Sequence, residues 1–289
     1  MRFDKDCEIL IVGLGVIGGG YATALSREGY TVRCITKNQA DIDYALARGM
    51  IVEGRTETDA DMIGNADILI CALYPSVFVK WVEENQGYFK GGALLTDVTG
   101  VKGAIVDRVQ SILRSDVEFI AAHPMAGRER SGVEYSDPQV FRGANYIVTP
   151  TERNTEEAIG ICKRLGEVLG FARISVLTVE EHDRMIAFLS QLTHVIAVSL
   201  MNCNAEAGLE KYTGDSFRDL TRIAKINDLM WSELFMLNRE ALIKEIDAFT
   251  DEMTEFKRML AEGDTDGMRD KMKASTERRS LFDKPTGKD

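Results

Sequence analysis

The chain has 289 residues, of which 45% are hydrophobic and 28% are charged. This composition is typical of a globular protein with room for two domains, and it argues against a disordered or fibrous one. The formal net charge of −11 and the isoelectric point near 5.0 would repel nucleic acids and acidic membranes. We therefore expect a small-molecule ligand, which can still be an anion if its pocket is locally basic.

The cysteines and the apolar runs indicate a cytoplasmic protein. The amino-terminal run MRFDKDCEILIVG is too briefly apolar for a signal peptide, and the longest apolar run is interrupted by Gln191 and His194. We expect no membrane span. The five cysteines have no metal-binding or redox spacing, so we predict no metal site and a reducing compartment. They are Cys7, Cys34, Cys71, Cys162 and Cys203.

From residue 7 to residue 178, short β-branched runs alternate with runs of helical periodicity. The strand-like runs are CEILIVG, YTVRCIT, ADILICAL, GALLTDVT, VEFIAAHP, GANYIVTP and FARISVLT. Helices are predicted from about Ile17, over 40–48, after Pro75, from about Val101 and over 155–169. Such alternation is typical of βαβ units, so we predict an α/β fold with a Rossmann-type, doubly wound, mostly parallel sheet.

After Thr178 the pattern becomes all-helical. Thr178 and Glu181 have the spacing of a capping box, and the run that follows has apolar residues on most faces of a helix. The predicted helices span 180–203, 216–226, 229–260 and 264–279.

The change of pattern predicts two domains. We expect a dinucleotide-binding domain over 1–177 and a helical domain for substrate binding and dimerisation over 178–289. The apolar stripe of LMWSELFMLNREALIKEIDAF is broader than one small domain covers, which favours a homodimer through these helices.

A glycine-rich run, ILIVGLGVIGGG, joins the first predicted strand to the first helix. Gly13, Gly15 and Gly18 have the GxGxxG spacing of dinucleotide-binding sites. The first glycine allows a tight turn, the second lets the backbone approach a pyrophosphate, and the third permits close helix packing. With Val16 and Ile17, they are predicted to hold the cofactor's phosphates at the amino terminus of the helix.

The end of the second strand predicts NADP rather than NAD. An NAD site normally has an acid there for the ribose 2′-hydroxyl, whereas this chain has Thr36 and Lys37, and its first acid is Asp41. A hydroxyl and an ammonium suit a 2′-phosphate better. The alternative is that Lys37 is only a solvated loop residue. The remaining predicted cofactor residues also follow strands: Leu73, Tyr74, Pro75 and Asp97.

Four motifs follow the glycine run in order: TDVTGVKG, AAHPMAGRERSGVE, HDRMIAFLSQLTH and FRDLTRIAKINDLMW. Together these motifs resemble the prephenate and arogenate dehydrogenases of tyrosine biosynthesis, and the resemblance covers nearly the whole chain. It implies the oxidative decarboxylation of prephenate to 4-hydroxyphenylpyruvate with hydride transfer to NAD(P). Hydride leaves the ring carbon that bears the hydroxyl, and loss of carbon dioxide gives an aromatic ring.

His123 is the predicted proton acceptor. It follows a strand, where ligands of open α/β sheets bind, and a neutral histidine can take a hydroxyl proton near pH 7. Ala126 and Gly127 are small enough to let the following loop pass close to the substrate. The alternative is a histidine that only bonds its own loop.

The substrate has two carboxylates, so a bidentate donor is expected in the pocket. The resemblance assigns this role to Arg222, with Arg218 and Lys225 as neighbours that could take it or be solvated. It also assigns His194 to the substrate pocket, where it is a second catalytic candidate, although a core histidine bonded to a carbonyl remains an alternative. His182 is predicted to bind substrate, with a helix-capping or interface role as the competing interpretation.

Two departures from the family pattern affect the substrate site. Many members have a serine where Gly100 stands, and that hydroxyl is thought to bond near the catalytic histidine. Thr99 or a water is expected to substitute for it, and Thr99, Gly100 and Gln191 are predicted to bind substrate. Gln191 and Thr193 stand where some relatives have His and Pro, so the side chains do not decide between prephenate and arogenate.

Other functions remain open at this stage. Arogenate dehydrogenase is the first alternative. A two-domain hydroxyacid dehydrogenase would normally use a catalytic lysine in its helical domain, which fits the motifs less well. A non-catalytic dinucleotide sensor would leave His123 and Arg222 unexplained.

Overall fold

The computed structural model describes residues 3–127, 130 and 132–283. One sheet has the strand order β3-β2-β1-β4-β5-β6-β7-β8. β7 runs antiparallel to β6, and the other neighbouring pairs are parallel. The predicted doubly wound, mostly parallel sheet is therefore confirmed. The strands are β1 (Glu8–Val12), β2 (Thr31–Ile35), β3 (Glu53–Arg55), β4 (Ile68–Cys71), β5 (Leu94–Asp97), β6 (Glu118–Pro124), β7 (Asn145–Thr149) and β8 (Arg173–Val176).

Side chains of the central strands alternate between two apolar clusters, one on each face of the sheet. In β1, Ile9 and Ile11 belong to one cluster, whereas Leu10 and Val12 belong to the other. All four side chains are buried. Burial on both faces explains why the strand is a continuous apolar run in the sequence.

Helices connect the strands and pack on both faces of the sheet. They are α1 (Val16–Arg27), α2 (Gln39–Ala47), α3 (Ala60–Asn65), α4 (Pro75–Asn85), α5 (Gly103–Ile112) and α6 (Glu156–Val168). The short elements β3 and α3 were not predicted. β3 has the sequence Glu-Gly-Arg, which carries no apolar alternation, and it forms because β2 offers it a free edge.

The helical part begins with α7 (Val179–Ile186) and continues through a π-helical segment, Ala187–Leu192, into α8 (Thr193–Asn202). The predicted capping box of Thr178 and Glu181 is present. This continuous run is long and apolar enough, by length and composition alone, to cross a membrane. However, its polar residues His182, Gln191 and His194 make their hydrogen bonds within the protein.

The helix predicted over 229–260 is wrong, because two helices meet at Asn238. Its Nδ2 donates to the main-chain oxygen of Asp183 and to Oε1 of Gln191, both at 2.8 Å. The interruption places this amide against the α7–π segment, a tertiary contact that helical periodicity does not reveal. The helices after α8 are α9 (Asp215–Thr221), α10 (Asp228–Leu237), α11 (Arg239–Glu262) and α12 (Thr265–Ser280).

By contacts, the chain divides into two compact units between Arg239 and Glu240. Helices α7–α10 belong to the same unit as the sheet. In the second unit, Lys271 of α12 pairs with Glu252 of α11. The predicted domain boundary after residue 177 stays a prediction, since the contacts group α7–α10 with the sheet.

Candidate active site

The glycine turn after β1 fits a dinucleotide. Gly13 has a φ of +93°, and a Cβ there would lie 2.4 Å from the main-chain oxygen of Ala72. A Cβ at Gly18 would lie 2.1 Å from the main-chain oxygen of Gly13, so packing requires glycine at both positions. Gly15 is different, because nothing lies within 4 Å of a Cβ built there, and it caps α1 without a side-chain hydrogen bond. No side chain caps the N–H groups in the first turn of α1. These groups can therefore donate hydrogen bonds to a pyrophosphate.

Other predicted cofactor residues lie at the same edge of the sheet. Val16 and Ile17 begin α1. Leu73 follows β4, and its Cδ2 is 2.9 Å from the Cβ position of the first glycine. Tyr74 is the N-cap of α4, and Pro75 is the first residue of that helix. The structure thus brings the residues after β1 and β4 together.

The end of β2 lies beside the end of β3. Thr36 N donates to the main-chain oxygen of Arg55 at 3.0 Å. Lys37 is exposed, and the side chain of Asn38 caps α2. The guanidinium of Arg55 forms ion pairs with Glu53 and Asp59. This corner of the sheet therefore has the cations Lys37 and Arg55 together with the two acids that pair with Arg55.

Asp97 is part of a buried network rather than an exposed cofactor ligand. Its carboxylate accepts hydrogen bonds from Lys102 Nζ at 2.7 Å and from the main-chain N of Ala122 at 3.1 Å. Neither charged side chain has any exposed surface. Burial lowers the pKa of Lys102, and the attraction of Asp97 opposes that shift. Any contact of Asp97 with a cofactor would have to be made by its main chain.

The loop after β5 corrects one expectation. Thr99 is buried, and its hydroxyl bonds with Asp97 and the main-chain oxygen of Val101, so it cannot substitute for a serine at the next position. A Cβ built at Gly100 would lie 3.6 Å from Leu234 and 3.9 Å from Cε1 of His123. Gly100 therefore faces the predicted catalytic histidine across a space that a small side chain would fit.

His123 lies near the carboxyl end of β6 and contacts a second histidine. Its Nδ1 is 2.9 Å from Nε2 of His182, and Nδ1 of His182 is 2.7 Å from Oδ1 of Asp183. The carboxylate of Asp183 also accepts hydrogen bonds from the main-chain N of Lys102 at 2.8 Å and of Gly103 at 2.7 Å. A chain of hydrogen bonds therefore runs from the start of α5 through Asp183 and His182 to His123.

The surroundings of His123 and His182 favour the neutral form of both rings. Burial lowers the pKa of His123 well below its usual value, and His182 and Lys102 add to the effect. Burial also lowers the pKa of His182, although its hydrogen bond to Asp183 opposes the shift. A neutral imidazole is the form that can accept a proton. Because His182 is fully buried, it reaches the site through His123, and the predicted direct contact of His182 with substrate is not supported.

The π-helical segment changes which residues share a face of the α7–α8 run. In a regular α-helix, the twelve residues from His182 to His194 would leave the two side chains about 120° apart. The wider i→i+5 turn of a π-helix holds more residues than an α-helical turn, so the segment Ala187–Leu192 reduces this difference. The segment therefore turns His194 toward the side of the helix that carries His182.

His194 and Gln191 both contact α10. The ring of His194 stacks on Trp231 with 3.6 Å between centroids, and its Nδ1 donates to the main-chain oxygen of Ser190 at 2.9 Å. Gln191 is buried, and its Nε2 donates to the main-chain oxygen of Leu234 at 2.9 Å. The carbonyl bond of His194 is the one expected of a structural histidine, and its binding role stays a prediction. The amide of Gln191 is used to hold α10.

The candidate substrate arginines differ in their surroundings. Arg222 begins a 3-10 turn after α9, and this turn packs against α8. Arg218 is engaged at the start of its own helix, where it donates to the main-chain oxygen of Thr213 at 3.0 Å and pairs with Asp215 at 2.6 Å. Arg222 and Lys225 are exposed. Arg222 stays the predicted substrate anchor.

The prediction missed four residues around this site: Lys102, Asp183, Trp231 and Leu234. The adjacent pair His-Asp in HDRMIAF and the spacing of acid and lysine in TDVTGVK were visible signals for the first two. The other two carry no signal that separates them from core residues. Residues 128, 129 and 131 of the motif after His123 lie outside the described residues.

Comparison with family models defines the class of protein. Residues 21–175 match the nucleotide-binding domain of prephenate dehydrogenase, and residues 178–274 match its dimerization domain. The fold and the order of the motifs after the glycine turn agree with this match. The chain belongs to the prephenate dehydrogenase family, as its resemblance to the prephenate and arogenate dehydrogenases indicated.

Individual relatives support the same family. The chain is 28% identical to a prephenate dehydrogenase of Bacillus subtilis over 90% of its own length and 72% of the relative. It is 26% identical to a cyclohexadienyl dehydrogenase of Zymomonas mobilis, with 94% of each chain covered. A crystal structure of prephenate dehydrogenase from A. aeolicus with hydroxyphenyl propionate and NAD+ is 28% identical, with a TM-score of 0.88 over 98% of this chain and all of that one.

Proposed function

We propose that this chain catalyses the oxidative decarboxylation of prephenate to 4-hydroxyphenylpyruvate. The observation that carries the proposal is the place of His123, at the same sheet edge as the glycine turn, with its ring fixed by His182. This arrangement sets a neutral base beside the expected position of a nicotinamide. The prephenate dehydrogenases among the relatives support the choice of substrate.

The residues supply proton transfer and substrate binding. The bound dinucleotide supplies the acceptor for the hydride that leaves the ring carbon. His123 accepts the proton of the ring hydroxyl, and Arg222 binds a substrate carboxylate. The bond from the ring to its carboxylate breaks as carbon dioxide leaves, and its electron pair completes the aromatic ring. The ring oxygen regains a proton in the phenol product.

Arogenate is the alternative substrate. It differs from prephenate only in the side chain, where an amine replaces the ketone. The cyclohexadienyl dehydrogenase among the relatives favours testing both, since both molecules are cyclohexadienes. The commitment of Gln191 to Leu234 and Asn238 removes one side-chain amide that would bind an amine, which supports prephenate.

The proposed cofactor is NADP. Lys37 is exposed just after β2, near the expected position of the 2′-phosphate, whereas Arg55, opposite Ile35 on β3, is paired with Glu53 and Asp59. The structure from A. aeolicus contains NAD+, which makes NAD the alternative.

The proposed assembly is a cytoplasmic homodimer formed by the helical part. The match to a dimerization domain supports it. Large apolar side chains are exposed in this part, among them Leu229 at 78% and Met236 at 64%, and a partner would cover them. Analytical ultracentrifugation should give twice the chain mass of 32.2 kDa.

One assay tests reaction, substrate and cofactor together. The absorbance of reduced cofactor is followed with prephenate and with arogenate, each with NAD and with NADP. We expect the highest kcat/KM with prephenate and NADP, and 4-hydroxyphenylpyruvate as the product. Turnover of arogenate alone would replace the proposed substrate, and no turnover with either molecule would contradict the proposed reaction.

A further inference from the structure

Asp183 is held at the amino terminus of α5, and its carboxylate also accepts a hydrogen bond from the ring of His182. Its Oδ1 accepts the main-chain N–H of Lys102, and its Oδ2 accepts that of Gly103. These two N–H groups at a helix start engage both carboxylate oxygens as acceptors. Asp183 can therefore only accept a hydrogen bond from its third partner, His182 Nδ1, at 2.7 Å.

This fixed acceptor determines where the protons lie on both rings. His182 is neutral and has its single proton on Nδ1, so its Nε2 is an acceptor. His123 Nδ1, at 2.9 Å from that nitrogen, must then be the donor. The one proton of neutral His123 is thus on Nδ1, and its Nε2 carries the lone pair.

We propose that Asp183, acting through His182, holds His123 in the tautomer whose Nε2 accepts the substrate's proton. Asp183 and His182 are positioning residues, because the fully buried His182 separates the carboxylate from the site. Only the kinetic consequence of this inference depends on the proposed function. The tautomer itself follows from the hydrogen bonds.

These hydrogen bonds from Asp183 through His182 also stabilise the positive charge that forms on His123 during the reaction. When Nε2 of His123 takes the proton, the ring becomes a cation whose Nδ1–H still donates to His182. The carboxylate of Asp183 lies one ring further away and compensates that charge. The other charged groups near the two histidines are Lys102, which opposes a cation here, and Asp97, which is paired with it.

Nitrogen-15 NMR tests the tautomer without any turnover. The chain has three histidines, so histidine-labelled protein gives three imidazole patterns, which His123→Asn and His182→Gln variants assign. At pH 7.5 we expect His123 to be protonated at Nδ1 and unprotonated at Nε2. A proton on Nε2 would overturn the proposal. The expected tautomer in a protein that does not oxidise prephenate would instead reject the proposed function.

A matched pair of variants tests the kinetic consequence. In His182→Gln, the amide can still donate toward Asp183 and accept from His123, whereas His182→Leu can do neither. We expect the kcat of His182→Gln to exceed that of His182→Leu at least tenfold, with similar KM for cofactor. If His182 had only a structural role, the kcat of each variant would fall in proportion to its loss of stability. Equal kcat values in two folded variants would therefore overturn the proposal.

Asp183→Asn tests the origin of the chain of bonds. An amide places an N–H toward either Gly103 or His182, and the second arrangement reverses both tautomers. We expect kcat to fall by about 10² to 10⁴, as for loss of general base catalysis, and the nitrogen-15 pattern of His123 to change. Unchanged kcat and an unchanged pattern would overturn the proposal. If Asp183→Asn does not fold, the comparison of His182→Gln with His182→Leu still tests the proposal.

Discussion

Lys102 Nζ and Asp97 Oδ2 lie 2.7 Å apart, and neither side chain has any surface exposed to solvent. The ammonium also donates to the main-chain oxygen of Ala122 at 2.6 Å, next to His123. This ion pair joins the ends of β5 and β6 and the start of α5. It therefore fixes the backbone on which both His123 and the partners of Asp183 are placed.

Removing one charge of this pair should destabilise the fold. Lys102→Met keeps the length of the side chain and leaves the carboxylate buried without its cation, so the free energy of unfolding should fall by about 3–5 kcal/mol. Lys80→Met is the control, since exposed Lys80 pairs with exposed Glu84 at 3.6 Å, and its loss should cost less than about 1 kcal/mol. Urea denaturation measures both. Equal values for the two variants would show that the buried pair contributes little.

His123→Asn should remove the base and leave binding intact. Asparagine cannot accept a proton near neutral pH, so kcat should fall by about 10² to 10⁴ while cofactor affinity stays near the parent value. In the parent, protonation of His123 as pH falls removes the base, so kcat should decrease on the acidic side. Because the pKa of His123 is well below its usual value, this acidic limb should lie below about pH 6.5 and vanish in the variant. Normal kcat in the folded variant would make His194 the next candidate.

Arg222→Ala should raise the KM for prephenate by about 10²-fold with little change in cofactor affinity, since a charge-assisted bidentate contact contributes a few kcal/mol. Arg222→Lys should recover only part of the affinity, because an ammonium lacks the planar fork. Arg164→Ala, at an exposed pair on α6, is the matched control. An unchanged KM in Arg222→Ala, together with a raised KM in Arg218→Ala, would move the anchor to Arg218.

Gly100→Ser should be accepted by the structure, because a Cβ there keeps ordinary distances to Leu234 and His123. Its hydroxyl would add a hydrogen-bonding group beside the catalytic ring, so kcat/KM for prephenate should rise by about twofold to tenfold. Gly100→Ala adds the same carbon without the hydroxyl and serves as the control. If alanine and serine have the same effect, the gain comes from backbone rigidity rather than from the hydroxyl.

Lys37→Asp should shift the cofactor preference from NADP toward NAD, by removing a cation and adding an anion near the 2′-phosphate. The ratio of kcat/KM for NADP to that for NAD should fall at least tenfold. Lys163→Asp, an exposed charge reversal on α6, should leave the ratio unchanged. A parent enzyme that already prefers NAD would contradict this interpretation of the β2 end.

Several site elements were predictable because their signals are local. The glycine turn needs residues at fixed short spacings, and the structure places Gly13, Gly15 and Gly18 where those spacings require. The position of His123 at a strand end was also visible from the sequence. In contrast, Thr99 was expected to face the substrate, whereas its hydroxyl points into the buried network of Asp97. The choice between these two directions depends on the surrounding packing.

The amino-acid sequence by itself determined the layered α/β fold, the cofactor turn and the helical region, since apolar periodicity, glycine spacing and capping residues act over a few neighbouring positions. Only the tertiary structure decided which side chains share the site. His123 meets His182 across 59 positions of the chain, and Gly103 meets Asp183 across 80. Such pairs form because the sheet order, the π-helical segment and the interruption at Asn238 bring distant residues within hydrogen-bonding distance, and a linear pattern does not encode that distance.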